Sequence, residues 1–251
     1  MQGMDLDTLL GPTLPLGDAE LRAIAISGAV GTASLGGTSG ALGNALDASL
    51  LQRLRQWSDA VLCAAGTVRA EGYSGVRLSE RAQAERLRES RPPLPPIATL
   101  SASLDLDPRG AFFTEASVPP LIFTAREHSG SARARGLVRA GAELFYLDDL
   151  TARGVVHRLR ALGYPRISCE GGPHLYGDLL ASRAIDVFHL TLAPFFGPRV
   201  ERPLVEGPPG EAARWTLEHA YPHPDSTLFL RYRRAAPGKG VKGPGPGTMI
   251  G

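Results

Sequence analysis

Three glycine-bearing segments hold the residues of this chain that could bind and orient a ligand. The first, EGGPHLYG at 170–177, follows the short apolar run Ile167–Cys169 and opens a stretch in which Leu175, Leu179 and Leu180 recur at helical spacing. Where a strand turns through glycines into a helix, the first N–H groups of the helix have no partner and can bind phosphate or pyrophosphate. A tight strand-to-helix connection without a ligand explains the same residues, and Gly-Gly-Pro alone favours it.

Two further segments suit the same kind of site. GTVRAEG at 66–72 follows the apolar run Ala60–Ala64. Its Thr67 could bond a phosphate or an amide, although capping of the following turn explains this residue better. The small-residue tract from Gly28 to Gly43 follows a first strand at Arg22–Ser27. Its composition fits a flexible loop and a surface for a flat ligand equally well.

Sequence motifs for several other chemistries are missing. The chain has neither GxGxxG after the first strand nor GxxxxGK[ST], no GxSxG, and no zinc-binding spacing among its 6 histidines and 2 cysteines. No metal site is therefore predicted. Phosphate-binding segments without a nucleophile or metal fit chemistry that a cofactor carries, such as hydride transfer from a nicotinamide, because the protein then mainly provides position.

The surrounding elements predict how these segments meet. Strands are predicted at 22–27, 60–64, 96–101, 121–124, 142–147 and 167–169, with helices between most of them; Asn44 or Asp47 caps one helix and Asp148 or Asp149 another. This alternation is typical of a largely parallel sheet with helices on both faces. The last strands, at 186–196, 214–221 and 227–233, have no helix between them and predict antiparallel edge strands. Ligands of such sheets bind at the carboxyl ends of strands, so the three segments could converge on one cleft.

Composition indicates an ordinary globular protein. Of the 251 residues 43% are apolar and 21% charged, and a net charge of +2 gives no argument for nucleic acid as a partner. The N-terminus lacks a signal-peptide pattern and no apolar run approaches the ~20 residues that span a bilayer, so a cytoplasmic protein without a membrane partner is expected. Residues 1–20 predict a loosely ordered N-terminal arm, 21–234 one domain, and 235–251 a disordered Gly/Pro tail.

Three motifs in order give the chain a resemblance to a known family. AGTVRAEGY at 65–73, EGGPHL at 170–175 and IDVFHLTLAPFFG at 185–197 resemble the RibD C-terminal family, the reductase domain of riboflavin biosynthesis. The resemblance runs from about residue 22 to 233, and stand-alone actinobacterial members carry a similar TVRxEGYSGVR segment. It implies a dihydrofolate reductase-like, three-layer α/β/α fold with a mostly parallel sheet and antiparallel C-terminal strands. It also implies a homodimer that uses NADPH to reduce the ribosyl group of 5-amino-6-(5-phosphoribosylamino)uracil to a ribityl chain.

The resemblance further implies roles for individual residues. Those expected to bind the cofactor are Ala41, Thr67, Glu71, Gly171, Gly172, Pro173, His174, Leu175 and Tyr176. Those expected to face the substrate are Ser39, Arg55, Arg77 and Glu170, with the arginines suited to its phosphate. Arg126 is a weaker candidate for the 2′-phosphate of NADPH. No residue is assigned the catalytic role.

One segment departs from the family pattern. Where the family usually has Ser-Leu-Asp-Gly after the first strand, this chain has Gly28-Ala29-Val30-Gly31, so Val30 replaces an acidic residue that would bond the cofactor or substrate. Two alternatives stay open for this reason. The chain could act on an altered substrate, such as a pterin or a dihydrofolate-like compound, or it could bind the cofactor with degenerate catalysis.

Overall fold

A computed structural model describes residues 5–235, and within that range nine strands form a single sheet. The strands are β1 (Glu20–Gly28), β2 (Ala60–Ala64), β3 (Ile97–Leu100), β4 (Leu121–Ala125), β5 (Glu143–Leu147), β6 (Arg166–Gly171), β7 (Val187–Ala193), β8 (Trp215–Pro222) and β9 (Leu228–Arg234). Their order across the sheet is β5-β4-β3-β2-β6-β1-β7-β9-β8. The pairs from β5 to β7 are parallel, whereas β9 is antiparallel to both β7 and β8. The predicted sheet, mostly parallel with antiparallel C-terminal strands, is confirmed.

Helices cover both faces of this sheet. The α-helices are α1 (Leu6–Leu10), α2 (Ala45–Trp57), α3 (Ala65–Ala70), α4 (Glu80–Arg88), α5 (Ala111–Thr114), α6 (Ala132–Arg139), α7 (Ala152–Ala161) and α8 (Pro173–Ala181). Successive side chains of a strand point to opposite faces, so Leu62 of β2 packs with α7 and α8 while its neighbour Val61 packs with α3, α5 and α6. A third cluster, around Ile24 and Trp57, buries α1 and α2. The three-layer arrangement is therefore also confirmed.

The prediction of a loosely ordered arm is wrong for Leu6–Leu10. Asp5 caps this short helix by accepting a hydrogen bond from the N–H of Asp7, and Leu9 and Leu10 are buried against α2. A helix of five residues is too short to show a hydrophobic repeat, and burial of two leucines stabilises it instead. The predicted tail, apart from Ala235, lies outside the described residues.

Two predicted caps are also wrong. Helix α3 begins at Ala65, directly after β2, so Thr67 lies inside the helix and caps nothing. Helix α7 is capped by Thr151, whose hydroxyl accepts from the N–H of Gly154 at 3.1 Å. Asp148 and Asp149 stand too far before the first helical residue to reach its free N–H groups. Asn44, in contrast, caps α2 as predicted.

The parallel topology brings three strand ends together. Strands β2, β6 and β1 are neighbours, and each ends in a small residue: Ala64, Gly171 and Gly28. Helix α3 follows β2 at once, and α8 follows β6 after Gly172 alone. Both helices therefore begin at the same edge of the sheet, which is the edge where the sequence predicts a site. Among residues 5–235, no helix has the length and apolar character needed to cross a membrane.

Candidate functional site

A cleft of about 400 Å³ lies at the carboxyl ends of β2 and β6, beside α2, α3 and the start of α8. Its volume falls within the range of small-molecule sites. Eight residues that the sequence analysis assigns to ligand binding line this cleft: Ser39, Arg55, Thr67, Glu71, Glu170, Gly172, Pro173 and Tyr176. The convergence of the three glycine-bearing segments on one cleft is confirmed, since each of them contributes to the lining.

At the centre of the lining, Glu170 is held by two other residues. Its carboxylate accepts from Nε of Arg55 at 2.7 Å and from Nη2 at 2.6 Å, an arrangement in which two parallel bonds fix both side chains. The hydroxyl of Tyr73 donates to Oε2 of the same carboxylate at 2.5 Å. Only 2% of the Glu170 side chain and 15% of the Arg55 side chain are exposed. Both oxygens of Glu170 are thus occupied by groups of the protein.

Burial and charge set the protonation states in this cluster. Burial opposes the charge of Arg55, but the neighbouring carboxylate of Glu170 outweighs it and raises the pKa of the guanidinium above its usual value. Burial, followed by the charge of Glu170, raises the pKa of Tyr73 well above its ordinary value. Arg55 is therefore cationic and Tyr73 is a protonated phenol that donates its hydrogen bond at all physiological pH values.

We expect Tyr73→Phe to lower the free energy of unfolding by about 1.5–3 kcal/mol, because it removes a hydrogen bond to a buried charged group. Urea unfolding at neutral pH measures the difference. Tyr146→Phe, on the edge strand β5 outside the cleft, is the matched control and should change stability by less than about 1 kcal/mol. Equal losses in both variants would mean that the Tyr73 hydroxyl does not hold Glu170.

The glycines at 171 and 172 have backbone conformations that side chains disfavour. Their φ angles are +97° and +114°. A Cβ on Gly172 would lie 2.5 Å from Cβ of Ala64, and a Cβ on Gly171 would lie 2.6 Å from the ring of Tyr176. Gly172 is the N-cap of α8 and has no side chain with which to cap the helix. The first N–H groups of α8 after Pro173 therefore have no side-chain cap, and the helix dipole favours an anion there.

Two more carboxyl groups line the cleft. Oε1 of Glu71 accepts from the backbone N–H of Ser39 at 3.2 Å, which joins α3 to the small-residue tract. Oδ1 of Asp47 accepts from the hydroxyl of Thr191, on β7, at 2.7 Å. Burial raises the pKa of Asp47, and the Thr191 hydrogen bond opposes this only in part. The surroundings of Asp47 therefore favour its protonated form more than water does.

Five of the residues assigned by resemblance do not line the cleft. They are Ala41, Arg77, Gly171, His174 and Leu175. Leu175 is buried in the core, Gly171 lies against the Tyr176 ring, and His174 is 77% exposed beside Glu206. Arg77 is 73% exposed and pairs with Glu115 at 2.5 Å. The weaker candidate Arg126 pairs with Asp148 on the surface, outside the cleft lining.

Sequence reasoning did not assign three polar side chains of the cleft lining to the site. Tyr73 stands in the AGTVRAEGY motif, but its contact with Glu170 spans 97 residues and no local pattern predicts it. Asp47 was considered only as a helix cap. Arg202 belongs to a Pro/Gly-rich loop and carries no motif. Of these, only Tyr73 could have been found, from its place in a motif.

The small-residue tract at 28–43 is hydrogen-bonded to the Pro/Gly-rich loop that carries Arg202. Glu201 accepts from the N–H groups of Gly36 and Gly37 at 3.2 and 3.3 Å and from the hydroxyl of Ser34 at 3.2 Å. Ala33 and Ser39 from this tract line the cleft, whereas Val30 lies in a turn, 41% exposed, and does not. The tract therefore borders the cleft. In the part of the chain that the structure describes, no cluster of His, Cys, Asp and Glu could hold a metal ion.

Comparison with known proteins identifies the family to which the chain belongs. The family model described as the RibD C-terminal domain matches residues 26–229. No match was found among the curated proteins. A pyrimidine reductase-like protein from Corynebacterium diphtheriae is 32% identical, with a TM-score of 0.83 over 92% of this chain and 98% of that chain.

More distant structures share the fold. The diaminohydroxyphosphoribosylaminopyrimidine deaminase/5-amino-6-(5-phosphoribosylamino)uracil reductase of Thermotoga maritima is 17% identical, with a TM-score of 0.68 over 87% of this chain and 57% of that chain. The riboflavin biosynthesis reductase of Saccharomyces cerevisiae is 13% identical, with a TM-score of 0.55 over 88% of this chain and 91% of that chain. The expected fold, a mixed sheet with helices around it, is therefore confirmed.

Proposed function

The chain belongs to the RibD C-terminal domain family, which contains reductases of the riboflavin pathway, and from this premise we propose that it is an NADPH-dependent pyrimidine reductase. Its substrate would be 5-amino-6-(5-phosphoribosylamino)uracil, and a hydride would reduce the ribosyl group to a ribityl chain. The observation that carries this proposal is the cleft in which residues of the family motifs meet the uncapped start of α8.

The residues around the start of α8 fit a nucleotide cofactor. A Cβ at Gly172 would meet Ala64 at 2.5 Å and Oγ1 of Thr67 at 3.1 Å, so only glycine keeps this turn and the N–H groups behind it accessible. We assign the cofactor phosphates to the backbone from Gly172 to Tyr176 and the nicotinamide side to Thr67 and Glu71. Ala41, Gly171, His174 and Leu175 stay in the proposed set through their backbone or their place in the motif. When bound, the cofactor supplies a hydride.

The protein's own groups would orient the substrate and exclude water. Arg55 and Tyr73 hold Glu170 in one position, which gives the cleft a fixed polar wall. Nη1 of Arg55 takes no part in that pair, so we assign it to the substrate phosphate together with Ser39 and, at the exposed rim, Arg77. Arg202, on the Pro/Gly-rich loop, adds a second cation to the lining. Such fixed groups lower the reaction barrier mainly through orientation.

The alternative of degenerate catalysis rests on Val30. Because Val30 lies outside the residues that line the cleft, its lack of a carboxylate leaves the cleft's own acids in place, and this supports turnover. A pterin or dihydrofolate-like substrate remains the alternative within the same reaction class. We further propose a homodimer and a single domain over residues 21–234, both by membership of the family.

Two measurements test the proposed function. We expect saturable binding of NADPH, measured by quenching of protein fluorescence, and NADPH oxidation that depends on 5-amino-6-(5-phosphoribosylamino)uracil. NADH and dihydrofolate are the controls for cofactor and substrate. Absence of saturable binding for both nicotinamide cofactors would rule out the proposal. Oxidation with dihydrofolate but not with the pyrimidine would favour the altered substrate.

A further inference from the structure

The cleft contains three carboxylic acids, and Asp47 is the one whose hydrogen-bond partner among the described residues is a hydroxyl alone, a group that can either donate or accept. Glu170 is fully engaged, since Arg55 and Tyr73 occupy both of its oxygens. Oε1 of Glu71 accepts from the backbone N–H of Ser39. The third acid is Asp47, which forms no salt bridge within the described residues and whose Oδ1 accepts a single hydrogen bond, from Thr191.

The position of Asp47 is set by elements on both sides of it. It stands in the first turn of α2, where Asn44 accepts a hydrogen bond from its N–H at 2.9 Å. Thr191, 1% exposed, reaches it from β7, a strand whose pairing with β1 and β9 is continuous. The carboxyl group is thus fixed by a helix and a central strand while it faces the cleft.

The charged groups around Asp47 leave it without a cation of its own. In the cleft lining, Arg55 is paired with Glu170, and the described residues show no ion pair between Arg202 and Asp47. On β7, His189 shares the face of Thr191, and burial, followed by the charge of Arg22, lowers its pKa well below the usual value, so it is neutral. At the start of α2, Asp225 is bound by Asn44 and His223. Burial without a paired cation favours the neutral form of Asp47, while the helix N-terminus and Thr191 oppose this.

We propose that Asp47 is the general acid of this cleft and delivers the proton that accompanies the hydride. This inference rests on the proposed function. Reduction of the C=N bond of the ring-opened ribosylamine requires a hydride on carbon and a proton on nitrogen. The nicotinamide cofactor provides the hydride and its two electrons, and the carboxyl group of Asp47 provides the proton. The resulting carboxylate is reprotonated from water.

The first test measures protonation of Asp47 in the free protein. The folded-state pKa lies above the ordinary value of 3.8, so the folded protein binds this proton more tightly than the unfolded chain does. The contribution of Asp47 to wild-type stability is therefore largest below that value and is lost as pH rises through the folded pKa. Asp47→Asn cannot ionise, so its stability relative to wild type should increase over this window and then level off. Urea unfolding at a series of pH values measures the difference in the free energy of unfolding between Asp47→Asn and the wild type. A difference that does not change with pH overturns the proposal.

The second test measures turnover with NADPH and 5-amino-6-(5-phosphoribosylamino)uracil. We expect Asp47→Asn to lower kcat by about 10²-fold or more while NADPH affinity stays at the wild-type level. In the wild type, kcat should fall as rising pH deprotonates Asp47, and Asp47→Asn should show no such fall. Thr191→Val keeps Asp47 but removes the hydrogen bond that stabilises its carboxylate. The fall of kcat should therefore occur at a higher pH than in the wild type. Glu80→Gln, an exposed acid in the first turn of α4, is the control and should leave kcat unchanged.

The outcomes of the second test separate the two proposals. Wild-type turnover together with an equally active Asp47→Asn overturns the role of Asp47 and leaves the proposed function in place. A wild-type protein that binds NADPH but transfers no hydride to this substrate contradicts the proposed function, and the inference falls with it. A lower kcat without any change in the pH profile, or with weakened NADPH binding, would mean that Asp47 is structural, and it also overturns the proposal.

Discussion

Arg55→Met should lower the free energy of unfolding at neutral pH by about 3–5 kcal/mol, because it leaves the buried carboxylate of Glu170 without its cation. Methionine replaces the length and apolar part of arginine, so the loss reports the missing charge and hydrogen bonds. Only Tyr73 would then donate to Glu170. Because Glu170 then loses the pair that fixes its position, we expect the cleft to change shape. NADPH oxidation should fall below detection. Urea unfolding and steady-state turnover measure the two effects.

Two variants separate charge from packing in that experiment. Arg53→Met, on the same helix, removes an ion pair with Asp7 in which 67% of the acidic side chain is exposed, and should cost less than about 1 kcal/mol. Arg55→Met/Glu170→Gln removes both buried charges and should recover most of the stability, though not the activity. If Arg53→Met and Arg55→Met were equally destabilised, the Arg55–Glu170 pair would not hold the cleft together.

Gly172→Ala should weaken NADPH binding by about 10²-fold, or roughly 2.8 kcal/mol at 1.4 kcal/mol for each factor of ten. The new methyl group meets Cβ of Ala64 at 2.5 Å, and neither carbon can rotate away because both are attached directly to the backbone. The chain must then shift where β6 enters α8, and the N–H groups proposed to bind phosphate move with it. A φ of +114° adds strain of about 1–3 kcal/mol to the folded state.

Matched variants distinguish the close contact from the backbone strain. Gly163→Ala, at φ +91° with open space around it, should lose stability through strain alone and bind NADPH like the wild type. Ala64→Gly in the Gly172→Ala background removes the contact and should restore affinity to within about tenfold of wild type. Wild-type NADPH affinity in Gly172→Ala would show that the cofactor phosphates do not bind at the start of α8.

The fold could be predicted because its signals are local. Apolar runs such as Ala60–Ala64, buried on both faces, are typical of parallel strands, and the hairpin of β8 and β9 has no room for a helix. The same logic fails for Leu6–Leu10, where two adjacent leucines form no repeat and only contact with α2 makes them helical. Thr151 was missed as a cap because two aspartates stand close before it.

The candidate site could be predicted only in part, for a related reason. Thr67, Glu71, Glu170 and Gly172 stand in motifs at the ends of neighbouring parallel strands, so topology alone brings them together. Contacts between distant side chains leave no trace in a local pattern. Arg55 and Glu170 are 115 residues apart in the chain, and Asp47 and Thr191 are 144. The first pair changes Glu170 from an open substrate contact into a fixed wall, and the second gives Asp47 a chemical role.

Transfer of deuterium tests the proposed function most directly. NADPH that carries deuterium at the transferred position of the nicotinamide would be incubated with the protein and 5-amino-6-(5-phosphoribosylamino)uracil, and the product analysed by mass spectrometry and NMR. The proposed function predicts a ribityl product with deuterium at the former anomeric carbon, and Arg55→Met should form none. A product without deuterium, or no ribityl product although NADPH binds saturably, would contradict the proposal that this cleft is a pyrimidine reductase site.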